Sequence, residues 1–213
     1  VPAETSSIGA AIYGFTVQAP AATAVRVRCE MLASKIDEVA AQIENPRILS
    51  VACGHLREAQ RSKAVTEGRV GEFFALDQDK TSLETVNREQ TPRGVTPVHG
   101  SVKTILKNET NFSDLDLVYS TGLYDYLPQP VATKLTTRLF SMLKPGGRLV
   151  LVNLLPGFAG LGYMETFMGW PMIYRSDEEM ADVASGLAVE QVANTQVYHD
   201  AHNHVVFLEV EKQ

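Results

Sequence analysis

From Pro20 onward the apolar residues fall into a helical rhythm. Val25, Leu32, Ile36, Val39 and Ile43 recur at spacings that place them on one stripe. Pro20 suits the start of that helix, and Asn45-Pro46 stops it. Residues 1–19 are rich in Ala, Ser, Thr and Gly and read as a flexible arm, with Ile12, Tyr13 and Phe15 as a hydrophobic anchor. Beyond Pro46 the pattern alternates. Strands are expected over Arg47–Ala52, Gly71–Asp77, Val95–Val98 and Leu115–Ser120, and helices over about Leu56–Glu67, Asp79–Arg88 and Val102–Lys107. A helix over about Pro130–Leu143 shows Val131, Leu135, Leu139 and Met142 on one face. Lys144-Pro-Gly-Gly147 then reads as a helix stop and turn before the apolar strand Arg148–Leu154. Ser176-Asp-Glu-Glu179 is a capping box that opens a helix to about Ser185. Two β-rich runs follow, Val189–Tyr198 and Val205–Val210, joined by the polar turn Asp200–Asn203.

Near-continuous Val/Ile/Leu strands alternating with helices call for a parallel sheet covered on both faces. Two strands joined as briefly as the last pair must be antiparallel. The expected fold is therefore α/β: a Rossmann-like, seven-stranded, mostly parallel sheet with a C-terminal antiparallel hairpin and helices on both faces. The expected domain covers 20–213. Within it, 155–175 lies outside the alternation and reads as a lid or substrate-binding insertion.

Composition narrows the class. The chain has 213 residues, 45% hydrophobic and 21% charged, which suits one folded domain. With 19 Lys and Arg against 25 Asp and Glu, the net charge is −6, and no basic run breaks that balance. A small-molecule substrate is expected as partner rather than nucleic acid. Cys29 and Cys53 do not make a disulfide framework, so a reducing cytoplasm is expected. No apolar run approaches the roughly 18–20 residues of a membrane span, and no secretory signal is read.

Open α/β sheets bind ligands beyond the carboxyl ends of their strands, so chemistry is sought there. The first end is Ser50-Val-Ala-Cys-Gly-His-Leu-Arg-Glu58, where small residues would let the backbone approach a ligand; an ordinary strand-to-helix turn also favours glycine. The second is Asp77, followed by Gln78. An acid here can accept both hydroxyls of a ribose, and Asp79 is available as the helix cap in its place. The third is Gly100-Ser101-Val102, either the edge of an adenine site or another cap. The fourth is Ser120-Thr-Gly-Leu-Tyr-Asp-Tyr126, polar and aromatic, where Tyr124 and Tyr126 can serve the site or pack in the core. The insertion supplies Tyr163, Trp170 and Tyr174, with Arg175 either a carboxylate anchor or a surface cation. It forms a pocket wall, or else a helix packed on the sheet edge. His199, His202 and His204 lack the Cys or paired carboxylates of a metal site, and no metal is expected.

Taken together, Arg47–Gly54, Asp77, the loop from Ser120, Leu143-Lys-Pro-Gly-Gly-Arg-Leu-Val-Leu-Val152 and the final hairpin resemble the class I S-adenosylmethionine-dependent methyltransferases. The resemblance runs from about Pro20 to the C-terminus. It implies S-adenosylmethionine as cofactor, held by Ala52, Cys53, Gly54, His55, Glu58, Asp77, Gln78, Ser101, Val102, Ser120, Thr121 and Gly122. It implies Tyr124 and Asp125 as catalytic candidates, and Tyr13, Tyr126, Tyr163, Trp170, Tyr174 and Arg175 at the acceptor. The chain departs from the family where Ser50 replaces an acid, and where Ala52 and Leu56 replace the outer members of a Gly-x-Gly-x-Gly series; Glu58 or Arg57 could stand in for the acid. Ser-Val-Ala-Cys-Gly-x-x-Arg-Glu also resembles a narrower group, the methyltransferases of bacterial extracellular-factor biosynthesis, which make a 3-hydroxy fatty acid methyl ester. A carboxylate is then the expected nucleophile, since it needs no base. A nucleotide-dependent oxidoreductase and a non-catalytic binding domain of the same fold are the alternatives.

Overall fold

A computed structural model describes residues 5–213. Its strands are β1 (Arg47–Val51), β2 (Glu72–Asp77), β3 (Val95–His99), β4 (Leu115–Ser120), β5 (Leu143–Leu154), β6 (Val192–His199) and β7 (Val205–Lys212). They form one sheet in the order β3-β2-β1-β4-β5-β7-β6. The first five run parallel, and β7 pairs antiparallel with both β5 and β6. The expected fold class is the observed one.

Side chains alternate along each buried strand and feed two apolar layers. Ile48, Phe73, Leu117 and Val150 face α2 (Pro20–Gln42), α3 (Arg57–Arg61) and α5 (Lys80–Glu89). Leu49, Leu76, Val118 and Leu149 face α6 (Val102–Leu106), α7 (Gln129–Ser141) and α9 (Asp177–Asp182). On α2 the buried stripe is Ala24, Leu32, Ala33, Ile36 and Val39. Val25, expected on that stripe, is exposed at its edge.

Four local readings change. Residues 7–16 of the expected flexible arm form a helix, α1 (Ser7–Thr16), capped by the Ser6 hydroxyl, which accepts from the Gly9 N–H at 3.1 Å. Cap and apolar content outweigh two helix-weakening glycines; residues 1–4 of the arm lie outside the described residues. The single helix expected over 56–67 breaks at Ser62. There α4 (Lys63–Thr66) begins, its N-terminal amides of Lys63 and Ala64 donating to Asp37 of α2. The helix that opens at the Ser176 capping box ends early, at Asp182. Lys144-Pro-Gly-Gly147 is not a turn outside the strand but a bulge within β5, for Leu143 pairs with Leu115 and Arg148 already with Leu117. Gly146 takes φ 76°, and a Cβ on Gly147 would lie 2.6 Å from the Leu115 carbonyl oxygen. Lys144 pairs from this bulge with the buried Asp116 of β4. The terminal hairpin is closed by Asp200, which accepts from the backbone amides of His202, His204 and Val205.

Candidate active site

The carboxyl ends of β1, β2 and β4 meet at one edge. Ala52, Gly54 and Leu56 all turn left-handed, with φ 54°, 53° and 50°. Glycine enters that region freely, whereas other residues do so at about 1–2 kcal/mol. These are the positions where the resembled family has its three glycines, so the loop follows the glycine path with one glycine. Leu56 offsets its strain by burying its side chain in the core. Ala52 has little to offset it. Ala52→Gly is therefore expected to raise stability by about 0.5–1 kcal/mol, part of the relief being lost to a freer unfolded chain. Thermal unfolding measures this, and a fall in midpoint would contradict the strained assignment.

Asp77 ends β2 and reaches the same loop. Its Oδ2 accepts from the Gly54 N–H at 2.8 Å, and its Oδ1 from the Asp79 N–H at 2.8 Å. A carboxylate has about four acceptor positions, so capacity remains for a ligand. Asp79 caps α5 as the sequence implied. A Cβ on Gly54 would meet nothing within 4 Å, so the space over the loop is open. Cys53 turns inward, and burial pushes its thiol pKa up. His55 and Gln78 are exposed on the rim.

Glu58 is buried in the first turn of α3 and accepts from the Tyr119 hydroxyl of β4 at 2.9 Å. Ser50, on the neighbouring strand, is buried and pairs in register with Tyr119. Burial raises the Glu58 pKa, against its own backbone N–H, Tyr119 and Arg28. An acid thus reaches back toward Ser50 from one turn of helix later. Arg57, the other stand-in, pairs with Glu89 at the surface, 2.6 Å away.

Other expected cofactor residues are committed elsewhere. Ser101 is the N-cap of α6, its hydroxyl accepting from Thr104 N–H at 3.3 Å within a capping box, while Val102 packs toward the core. The Ser120 hydroxyl is fully buried and donates to the Val51 carbonyl at 2.9 Å, stitching β4 to β1. Thr121 and Gly122 are half-buried and make no such commitment in the hydrogen bonds of the described residues. Tyr124 is not catalytic in this geometry, because its ring is buried and its hydroxyl shares a hydrogen bond with Thr136 at 2.9 Å.

Asp125 does reach the site. It is 2% exposed and borders a cavity of about 610 Å³, a size ordinary for small-molecule pockets. The walls come from the end of α1, the start of α2, and α8 (Leu161–Thr166) with the segment after it. Tyr126, Tyr163 and Trp170 line it, the Trp170 indole N–H donating to the Tyr126 hydroxyl at 2.6 Å. The insertion is therefore a pocket wall. The cavity reaches the loop after β4 through Gly122, Asp125 and Tyr126, and neither residues 52–56 nor Asp77 line it.

Arg28 was not among the expected residues, yet its guanidinium stands 3.5 Å from Asp125. The signal was present: Ala24, Leu32 and Ile36 are buried at four-residue steps, and Arg28 interrupts that row. Three expected acceptor residues fall outside the cavity. Tyr13 faces solvent while Phe15 takes its place, and Tyr174 packs edge-on against Phe158. Arg175 is 1% exposed. Its guanidinium donates to the carbonyls of Tyr124 and Leu127 and to the side chains of Asn153 and Gln129, so it is spent inside the fold. His199 binds Asp177 at 2.6 Å and Asn203 at 3.0 Å, which raises its pKa; among the described residues no three His, Cys, Asp or Glu side chains converge on a metal position.

No protein-family model matches the sequence, and neither does any curated protein. Solved structures do match. A possible exported protein from Bordetella parapertussis superposes with a TM-score of 0.76 at 18% identity, over 93% of this chain and 71% of that one. The magnesium protoporphyrin IX methyltransferase of Synechocystis, with bound S-adenosylhomocysteine, gives 0.63 at 13% identity, over 90% and 86%. Human N-acetylserotonin methyltransferase, in complex with S-adenosylmethionine, gives 0.59 at 13% identity, over 78% and 47%. The fold is that of the Rossmann-like methyltransferases.

Proposed function

We propose that the protein is an S-adenosylmethionine-dependent methyltransferase acting on a small acceptor with an apolar body. The observation that carries this reading is the loop 52–56. It keeps three left-handed positions around one glycine and is tied by its Gly54 amide to an acid at the end of β2. That pairing suits an adenosyl ligand: Asp77 has acceptor capacity left for the ribose, Gly54 leaves room for close approach, and Glu58 with Tyr119 supports the loop from behind. The fold shared with methyltransferases crystallised with S-adenosylmethionine or S-adenosylhomocysteine supports it further. When bound, the cofactor offers a sulfonium methyl group to a nucleophile, and the electron pair of the broken carbon–sulfur bond stays on sulfur. The chain's own work is to align the acceptor and exclude water. The lid does both, closing the cavity with Tyr163, Met168 and Trp170. A fatty acid carboxylate, the acceptor expected from sequence, matches the apolar walls; the polar floor favours a different head group, argued below.

Calorimetric titration with S-adenosylmethionine, S-adenosylhomocysteine and NAD tests the reading. Micromolar binding of the two adenosyl ligands and none of NAD is expected. Folded protein that binds neither adenosyl ligand would overturn it, and binding of NAD alone would turn the assignment to an oxidoreductase.

A further inference from the structure

The cavity is mostly apolar: Thr16, Gln18, Tyr126 and Tyr163 add neutral polar groups to its lining, and its charges sit at the floor. Phe15, Leu154, Met164, Met168 and Trp170 supply the walls, and among its lining residues Arg28 and Asp125 carry the only charges. Asp125 Oδ1 is occupied by the Leu154 N–H at 2.9 Å, and Oδ2 faces Arg28 Nη1 at 3.5 Å, a long contact that leaves both groups with capacity for a third partner. The guanidinium also lies over the loop that follows β4, since a Cβ on Gly122 would come within 3.2 Å of Arg28 Nη2. The pair therefore sits where the acceptor side meets the expected cofactor side. Arg175 adds positive charge beneath the floor, but four of its five N–H groups are taken by neutral acceptors.

Three head groups can be weighed against this floor. A carboxylate drawn to Arg28 would be forced beside the Asp125 carboxylate, and like charges about 4 Å apart oppose binding even at a partly screened dielectric. An ammonium drawn to Asp125 would meet Arg28. A hydroxyl satisfies both, donating to Asp125 and accepting from Arg28. We infer that the acceptor is a neutral amphiphile, an alcohol or phenol on an apolar body, whose hydroxyl is held between Arg28 and Asp125. This rests on the methyltransferase reading. As the oxygen is alkylated its proton passes to Asp125 Oδ2, and from there to water when the methyl ether leaves. Burial raises the Asp125 pKa against Arg28 and the Leu154 amide, which brings its basicity closer to neutral pH than that of an ordinary aspartate. Arg28 steadies the oxygen as its charge grows.

The chain has one tryptophan, Trp170, and it lines the cavity, so its emission reports occupancy without any turnover. We would titrate the protein with 4-octylphenol and 4-octylbenzoate, which differ only in the head group, with and without S-adenosylhomocysteine. The phenol is expected to bind at least ten-fold more tightly than the benzoate. In Asp125→Asn, which keeps an oxygen for the Leu154 amide, the preference should reverse, because Arg28 then stands unopposed. Arg28→Lys should keep the wild-type order with weaker phenol binding. Benzoate binding as tightly as phenol to the wild type, an unchanged ratio in Asp125→Asn, or no emission change with either probe would each overturn the inference. The calorimetric titration with adenosyl ligands is separate, so failure of the methyltransferase reading registers there and not in the head-group ratio.

Discussion

Asp77→Ala is expected to lower S-adenosylmethionine affinity about 100-fold while leaving the fold assembled. The estimate follows from losing two hydrogen bonds from ribose hydroxyls to a charged acceptor, each worth about 1.5 kcal/mol, and ~1.4 kcal/mol is a factor of ten. The same carboxylate also holds the Gly54 and Asp79 amides, so some affinity is lost indirectly through the loop. Asp77→Asn separates the two effects. It keeps one acceptor oxygen but replaces the other with a donor that cannot serve both the Gly54 amide and a ribose hydroxyl. It should fall between wild type and alanine. Calorimetry gives the affinities and far-ultraviolet circular dichroism the fold. Unchanged affinity in Asp77→Ala would remove this residue from the site.

Arg175→Met is expected to destabilise the fold by about 4 kcal/mol. Methionine fills a similar volume, so packing is nearly kept and the loss is polar. The carbonyls of Tyr124 and Leu127 and the Asn153 amide oxygen would be stranded without donors in the interior. Each stranded group costs about 1–3 kcal/mol, partly recovered by local rearrangement. For a domain of this length that corresponds to a fall of about 8–16 °C in unfolding temperature. Adenosyl-ligand affinity should change little at temperatures where the variant stays folded, because Arg175 touches neither the glycine loop nor Asp77. A variant as stable as wild type would mean that these bonds contribute nothing net.

The sheet was legible because its signals are local. Near-continuous apolar runs, their short lengths and the polar turn at Asp200–Asn203 can each be read within a few residues. The capping role of Asp79, which leaves Asp77 free of it, was legible for the same reason. What could not be read depends on residues far apart in sequence. Arg175 looks like a surface cation until Tyr124, Leu127, Gln129 and Asn153 are brought around it. Tyr124 and Tyr126 are equivalent in the sequence, yet a short helical turn over Tyr124–Tyr126 sends one ring into the core and the other to the cavity. The left-handed turns at Ala52 and Leu56 run against residue preference, so propensity alone would place them elsewhere. Arg28 is the instructive omission. Its position in an apolar row was visible, but only Asp125, ninety-seven residues away, explains why a charge belongs there.

The position of β7 bears on how the molecule is made. It follows β6 in sequence yet lies between β5 and β6, pairing with β5 from Arg148↔Glu211 to Leu154↔Val205. While the ribosome is still delivering the hairpin, β5 stands as an open, strongly apolar edge that any other nascent strand could join. The parallel half can assemble, but the sheet closes only when β7, made after β6, inserts between its two neighbours. Loss of Asp200, which shapes the hairpin before insertion, would on this view raise the yield of aggregate more than it lowers the stability of the finished fold.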